Sequence, residues 1–181
     1  MLKYMKKNII FILIIFILLK FNHLKAEEWK FVNNDKLAYS YVNGEITHGD
    51  NLSFFLLKKD DCKTVWTTFS VYTYLSPENL SELVNKNIPI KLNGLDLEAK
   101  IVDIKPFLMG HRYVLSLGSH NFIDYKKFIV EFFSEFSKYE IELIDNEKFQ
   151  SSKYFDIRKN NWILKEVGSS LDKTENLCFG L

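Results

Sequence analysis

From Leu37 onward the apolar positions recur every second residue, the period of a strand with one face in and one face out. Leu37, Tyr39 and Tyr41 alternate with Ala38 and Ser40 and run into Asn43-Gly44. That dipeptide predicts a hairpin, because a two-residue type I′ turn needs positive φ at both central positions. After Gly49-Asp50-Asn51, apolar residues occupy both parities of Leu52 to Leu57, which predicts a central strand. Thr64 to Tyr74 has the same character, with Val65, Phe69 and Val71 on one side and Trp66, Tyr72 and Tyr74 on the other. Aromatics on both parities fit either a two-sided core or an exposed protein- or glycan-binding face.

Ser76-Pro77-Glu78 offers a cap and a proline at the first helical position, so a short helix is expected over about 77–86. A second hairpin follows, with Ile88, Ile90 and Leu92 leading into Asn93-Gly94 and Leu97, Ala99 and Ile101 returning. At Ile101-Val102 the apolar phase slips to Val102 and Ile104, the mark of a β-bulge before Pro106. Tyr113, Leu115 and Leu117 predict one more strand, ended by a Gly118-Ser119 turn. Then the period changes. Tyr125, Phe128, Ile129, Phe132, Phe133 and Phe136 fall at i, i+3, i+4, i+7, i+8 and i+11, one stripe of an amphipathic helix over about 122–138, capped by Asn121 or Asp124. The stripe either packs on the sheet or serves as a lipid or partner surface. Ile141 and Leu143, then Tyr154, Phe155 and Ile157, then Trp162 to Leu164 predict three short strands, and Ser169-Ser170 a last helix over about 169–178. The fold class expected is α+β: a mostly antiparallel β-sheet or sandwich, one long amphipathic helix and two short ones.

Ahead of this body the chain has a different composition. Met1 to Lys7 carries three lysines, Ile9 to Leu19 is an unbroken apolar run of eleven residues, and Lys20 and Ala26 follow. This is the n-, h- and c-region order of a signal peptide, and the run is too short to span the roughly 30 Å hydrocarbon core as a helix. Residues 1–26 are therefore expected to be a signal peptide and 27–181 a single periplasmic or extracellular β-rich domain with no membrane span. Leu24 is bulky for the position before the cleavage site, which leaves an uncleaved inner-membrane anchor as the alternative. The two cysteines, Cys62 and Cys178, are expected to form a disulfide, since an even count in an exported chain favours pairing.

Charge narrows the function classes. Of 24 Lys and Arg, five lie in the first 26 residues with no acid beside them, so the body carries 19 basic against 23 acidic residues. A mildly acidic body lacks the clustered basic face a nucleic-acid binder needs. His48, His111 and His120, even with Asp50 or Asp124, show no metal-ligand spacing, and no metal or cofactor is expected. Gly118-Ser119-His120 lacks the second glycine of a nucleophile elbow, and Lys58 to Cys62 reads as a solvated loop rather than a carboxylate pair across a cleft. No phosphate-binding glycine motif occurs.

At the C-terminal end, Phe155-Asp156-Ile157, Trp162-Ile163-Leu164, Gly168 to Leu171 and Cys178 resemble the ending of the invasion-associated locus B family of exported bacterial proteins. Trp29 and the order from Leu52 to Cys62 are also similar, whereas the Phe-rich helix has no counterpart there. The resemblance implies a small periplasmic β-protein without a catalytic centre. With the missing constellations, it leads to an exported non-enzymatic protein, an envelope accessory that binds a protein partner; the alternative is a carrier of an apolar molecule or lipid between the sheet and the helix.

Overall fold

The computed structural model describes residues 28–47 and 49–181, so the expected signal peptide and His48 lie outside the described residues. Nine strands form one antiparallel sheet: β1 (Lys30–Asn33), β2 (Leu37–Asn43), β3 (Asn51–Leu57), β4 (Thr64–Thr73), β5 (Asn87–Leu92), β6 (Leu95–Phe107), β7 (Gly110–Asn121), β8 (Lys138–Leu143) and β9 (Lys159–Ile163). Their spatial order is β1-β2-β3-β4-β7-β6-β5-β8-β9. Among the described residues two helices of similar length complete the fold, α1 (Phe122–Glu135) after β7 and α2 (Val167–Phe179) at the end.

The sheet curls until its two ends meet. The Glu45 N–H, in the β2–β3 loop, donates to the Asn161 carbonyl of β9 at 3.1 Å, and Lys138 pairs with Glu45 at 2.7 Å. Inside the curl the alternating apolar sets face one another: Ala38 and Val42 on β2, Leu52, Phe54 and Leu56 on β3, Phe69 on β4, Ile101 on β6, Tyr113 and Leu115 on β7, Tyr139 on β8 and Trp162 on β9 are all buried. The Trp162 ring meets Phe69 at 6.1 Å and Tyr139 at 6.4 Å, which ties the last strand across the curl to β4 in one core. Helix α2 lies on β2 and β3, and α1 on β4, β7 and α2. The broad α+β, mainly antiparallel expectation holds as a single curled sheet.

Several local expectations are corrected. No α-helix covers 77–86; a single 3₁₀ turn, Leu80–Leu83, buries Leu83 and gives way to Asn85 at φ 72 before β5. The last helix is not short. It begins at Val167 after Glu166 at φ 62, so Ser169 and Ser170 lie inside its first turn instead of capping it. The segment around Tyr154 to Ile157 is no strand: after a 3₁₀ turn at Ser151–Lys153, Phe155 docks singly on Tyr113 at 4.8 Å. Asn93-Gly94 turns as expected, with φ 46 and 87. Asn43-Gly44 does not; the loop runs on to Asp50, and Gly49 takes the positive φ of 90°. Gly118, φ 94, marks a β-bulge against Thr67 and Thr68, and β7 continues through Ser119 to Asn121. The phase slip at Ile101 is the bulge read from the sequence.

Candidate binding surfaces

The six positions of the helical stripe fall into two rows. A side chain three residues on sits about 60° around the helix, so residues 125, 129 and 133 make one row and 128, 132 and 136 a second beside it. The first row turns inward. Tyr125 and Ile129 are buried, Phe133 stacks on Tyr139 at 5.4 Å, and Phe122 one turn earlier is also buried. The second row stays outside: Phe128 is 51% and Phe136 38% exposed, with Phe132 half-buried between them. Its rings touch in series, 5.5 Å from Phe128 to Phe132 and 4.7 Å from Phe132 to Phe136. The helix is fixed at its start by Asn121, whose side chain accepts from the Ile123 and Asp124 N–H groups. Beside Phe136 lies a shallow depression of about 350 Å³ bounded by Asn93, Ser137, Lys138 and Glu140.

The seam under α1 is filled. Thr67 donates to the Tyr125 hydroxyl at 2.7 Å, Tyr125 contacts the Phe54 ring at 6.1 Å, and burial holds the Tyr125 and Tyr139 hydroxyls well above the usual phenol range. These packed rings line the seam in which the alternative reading places a carried lipid.

Cys62 and Cys178 are bonded, as expected, with their Cα atoms 6.1 Å apart, and no cysteine among the described residues is free. Asp61 and Cys62 both take left-handed φ, 56° and 58°, which aims the Cys62 side chain out of the β3–β4 turn toward the last turn of α2.

The histidines do not converge. His111 and His120 stand nine residues apart on one strand, about 30 Å along it. His111 Nδ1 lies 3.3 Å from the Ser76 hydroxyl, and the His120 ring stacks on Tyr125 at 5.1 Å. No group of three or more metal-ligating side chains forms among the described residues.

Two features went unread in the sequence. Asp50, expected only in a turn, is 1% exposed. Its Oδ2 accepts from Thr47 and from Asn160, stitching the β2–β3 loop to β9, while its buried Oδ1 has no partner among the described residues, and burial pushes its carboxyl up to about 7 against the pull of Thr47, the Tyr72 backbone and Arg112. The second is a cleft of about 420 Å³ on the outer face of the sheet, lined from β2, β3, β4 and β7 by Tyr39, Tyr41, Phe55, Ser53, Thr68 and Arg112 among others. Strand alternation signals which residues face out, but the cleft comes from small side chains meeting across four strands, a pairing that the sequence does not display.

No family model, curated protein or solved structure matches this chain. The geometry therefore has to carry the functional reading. Among the described residues no helix is long and apolar enough to cross a membrane.

Proposed function

We propose that this is an exported, non-enzymatic binding protein of the envelope, and that the outer row of α1 is where a protein partner docks. The observation carrying this reading is the Phe128, Phe132 and Phe136 ridge: two rings on α1 and a third on the residue that ends it, in contact beside an inner row that already supplies the helix's packing. Contiguous exposed apolar area of this kind marks interaction sites, because solvating it costs free energy that a partner recovers. A protein fits better than a lipid surface. The rim is polar and charge-balanced, Lys138 with Glu45 at 2.7 Å and Glu140 with Lys159 at 2.9 Å, whereas an anionic bilayer selects a basic rim. The acidic body points the same way. Export is supported by the lysine-flanked apolar run of residues 9–19 and by the disulfide.

The test is in-cell photocrosslinking with benzoylphenylalanine in place of Phe128, and in place of Val102, exposed on β6, as control. One discrete protein adduct from position 128, absent from 102 and abolished by Phe136→Ser, is expected. Lipid adducts alone, adducts between copies of the chain, or equal labelling from both positions would overturn the reading.

A further inference from the structure

The outer face of the sheet carries a second surface, on other elements than the α1 ridge and independent of it. Strand register sets out its floor row by row. Tyr39, Phe55 and Trp66 stand opposite one another on β2, β3 and β4; Tyr41, Ser53 and Thr68 make the next row; Asn51 follows, with Ser70 opposite Val114; Arg112 is paired with Tyr72 beyond. Large side chains thus stand at both ends and small ones in the middle, and the dip between them is the 420 Å³ cleft. That volume lies within the range of small-ligand sites, roughly 300–1,000 Å³. From the Tyr41 row to the Arg112 row is four residues along β4, about 13 Å, the reach of a two-ring molecule.

The lining has a definite chemistry. At one end Tyr39 stacks on Phe55 at 4.6 Å and lies 5.9 Å from Tyr41. In the middle are neutral hydroxyls and amides: Thr68, Asn43 and Asn51, over a base of Ser53, whose hydroxyl donates to Asn51 Oδ1 at 3.3 Å, and Ser70, whose hydroxyl accepts from the Asn51 N–H and donates to the Gly49 carbonyl. At the other end is Arg112, held by its stacking over Phe107 at 5.3 Å, with its Nε–H enclosed and lacking an acceptor among the described residues. Among the described residues no Asp or Glu lines the cleft. The nearest acids are accounted for, since Asp103 beside Val114 pairs with Lys105 at 2.7 Å, and Asp50 lies buried behind the sheet corner with donors of its own. A guanidinium at the end of a cleft lined otherwise by neutral groups selects a carboxylate.

An extended peptide is the poorer fit. β2, β3, β4 and β7 are each paired on both sides, so no strand edge is exposed to accept a peptide backbone. Recognition here rests on side chains alone. Ring faces with a hydroxyl- and amide-rich floor match a hydroxylated ring.

We propose that this cleft binds a short acidic saccharide, its carboxylate on Arg112 and its rings against Tyr39 and Tyr41 over the floor of Ser53, Thr68 and Ser70.

Isothermal titration calorimetry of the purified protein with digalacturonate, with neutral cellobiose and with an Asp-Gly-Asp peptide tests this. Digalacturonate should bind at least tenfold more tightly than cellobiose or the peptide, and raising salt from 50 to 500 mM should weaken it several-fold while leaving cellobiose unaffected. Arg112→Gln should bring digalacturonate to within about twofold of cellobiose, Arg112→Lys should fall between, and Tyr41→Ala should weaken both sugars. Because Arg112 packs on Phe107, circular dichroism must show Arg112→Gln folded; the salt titration of the unaltered protein decides the matter if it is not. Equal binding of the two sugars, salt-independent binding of digalacturonate, preference for the peptide, or no binding of any probe would overturn the proposal.

Discussion

Removing the Cys62–Cys178 bond is the most informative perturbation, because its two possible modes of action differ in both size and place. The bond closes a loop of 116 residues. In the chain-entropy model such a link raises the free energy of the unfolded ensemble by about 5 kcal/mol, a large share of the roughly 5–15 kcal/mol that holds a domain folded. Both cysteines are buried, so alanine at each leaves only a small cavity and little else. The Cys62→Ala/Cys178→Ala protein should therefore unfold in urea with its midpoint lowered by about 2.5 M, taking a slope of about 2 kcal/mol/M.

Where the stability is lost separates the modes. An effect exerted through the unfolded chain lowers hydrogen-exchange protection evenly across β3, β4, β7 and α2. A local effect frays only the end of α2, since its start is held independently by the Trp29 indole N–H donating to the Lys165 carbonyl at 2.9 Å and by buried Val167 and Leu171. A midpoint lowered by less than about 0.5 M, or loss of protection confined to residues 174–179, would refute the chain-entropy reasoning.

Further outcomes follow from single positions. The folded state holds the Asp50 proton up to about pH 7 while the unfolded chain releases it near 3.8, so the native state binds more protons between those values; stability should fall as pH rises from about 4 to 7, by at most about 4 kcal/mol, in thermal melts that Asp50→Asn flattens. Gly110→Ala places a Cβ 2.1 Å from the Thr73 carbonyl oxygen, a backbone atom that cannot step aside, and should cost about 1–3 kcal/mol in urea unfolding.

Much of the fold was legible where one local rule governs. Asn93-Gly94, the bulge at Ile101 and the Asn121 cap each depend on a few adjacent residues, and each forms as read. The misreadings share a cause, which is contact across the curl. Gly44 looked like half of a type I′ turn, yet a Cβ there would come within 3.0 Å of Asn160 on β9, so the residue is small to let the two sheet ends meet. Ser76-Pro77 read as a helix start, but Asn85 and Lys86 already bond to Ile101 of β6, and the chain before them makes one 3₁₀ turn that buries Leu83. The Phe-rich stripe was visible as a period and ambiguous as a surface, because periodicity gives the angle of each residue and not how many rows the partner layer covers.

The split of that stripe follows from how the curl is filled. A flat sheet offers a helix a broad inner face, and both rows of α1 would then be covered. Here Trp162, Phe155 and α2 already occupy the inside, and α1 meets the sheet mainly at β4 and β7, with one ring contact each to β3 and β8. A helix resting on so narrow a support buries one row and leaves the next in water. The same curl pairs every outer-face residue from Tyr39 to Arg112 with strands that have no free edge, so any ligand there must be read by side chains. In the interior, Asp50 Oδ2 and the Tyr125 hydroxyl are hydrogen-bonded within the core, while Asp50 Oδ1 and the Tyr113 hydroxyl are buried without a partner among the described residues. The two surfaces proposed for binding both lie outside the curl: an apolar ridge on the outside of α1, and a polar cleft on the outside of the sheet.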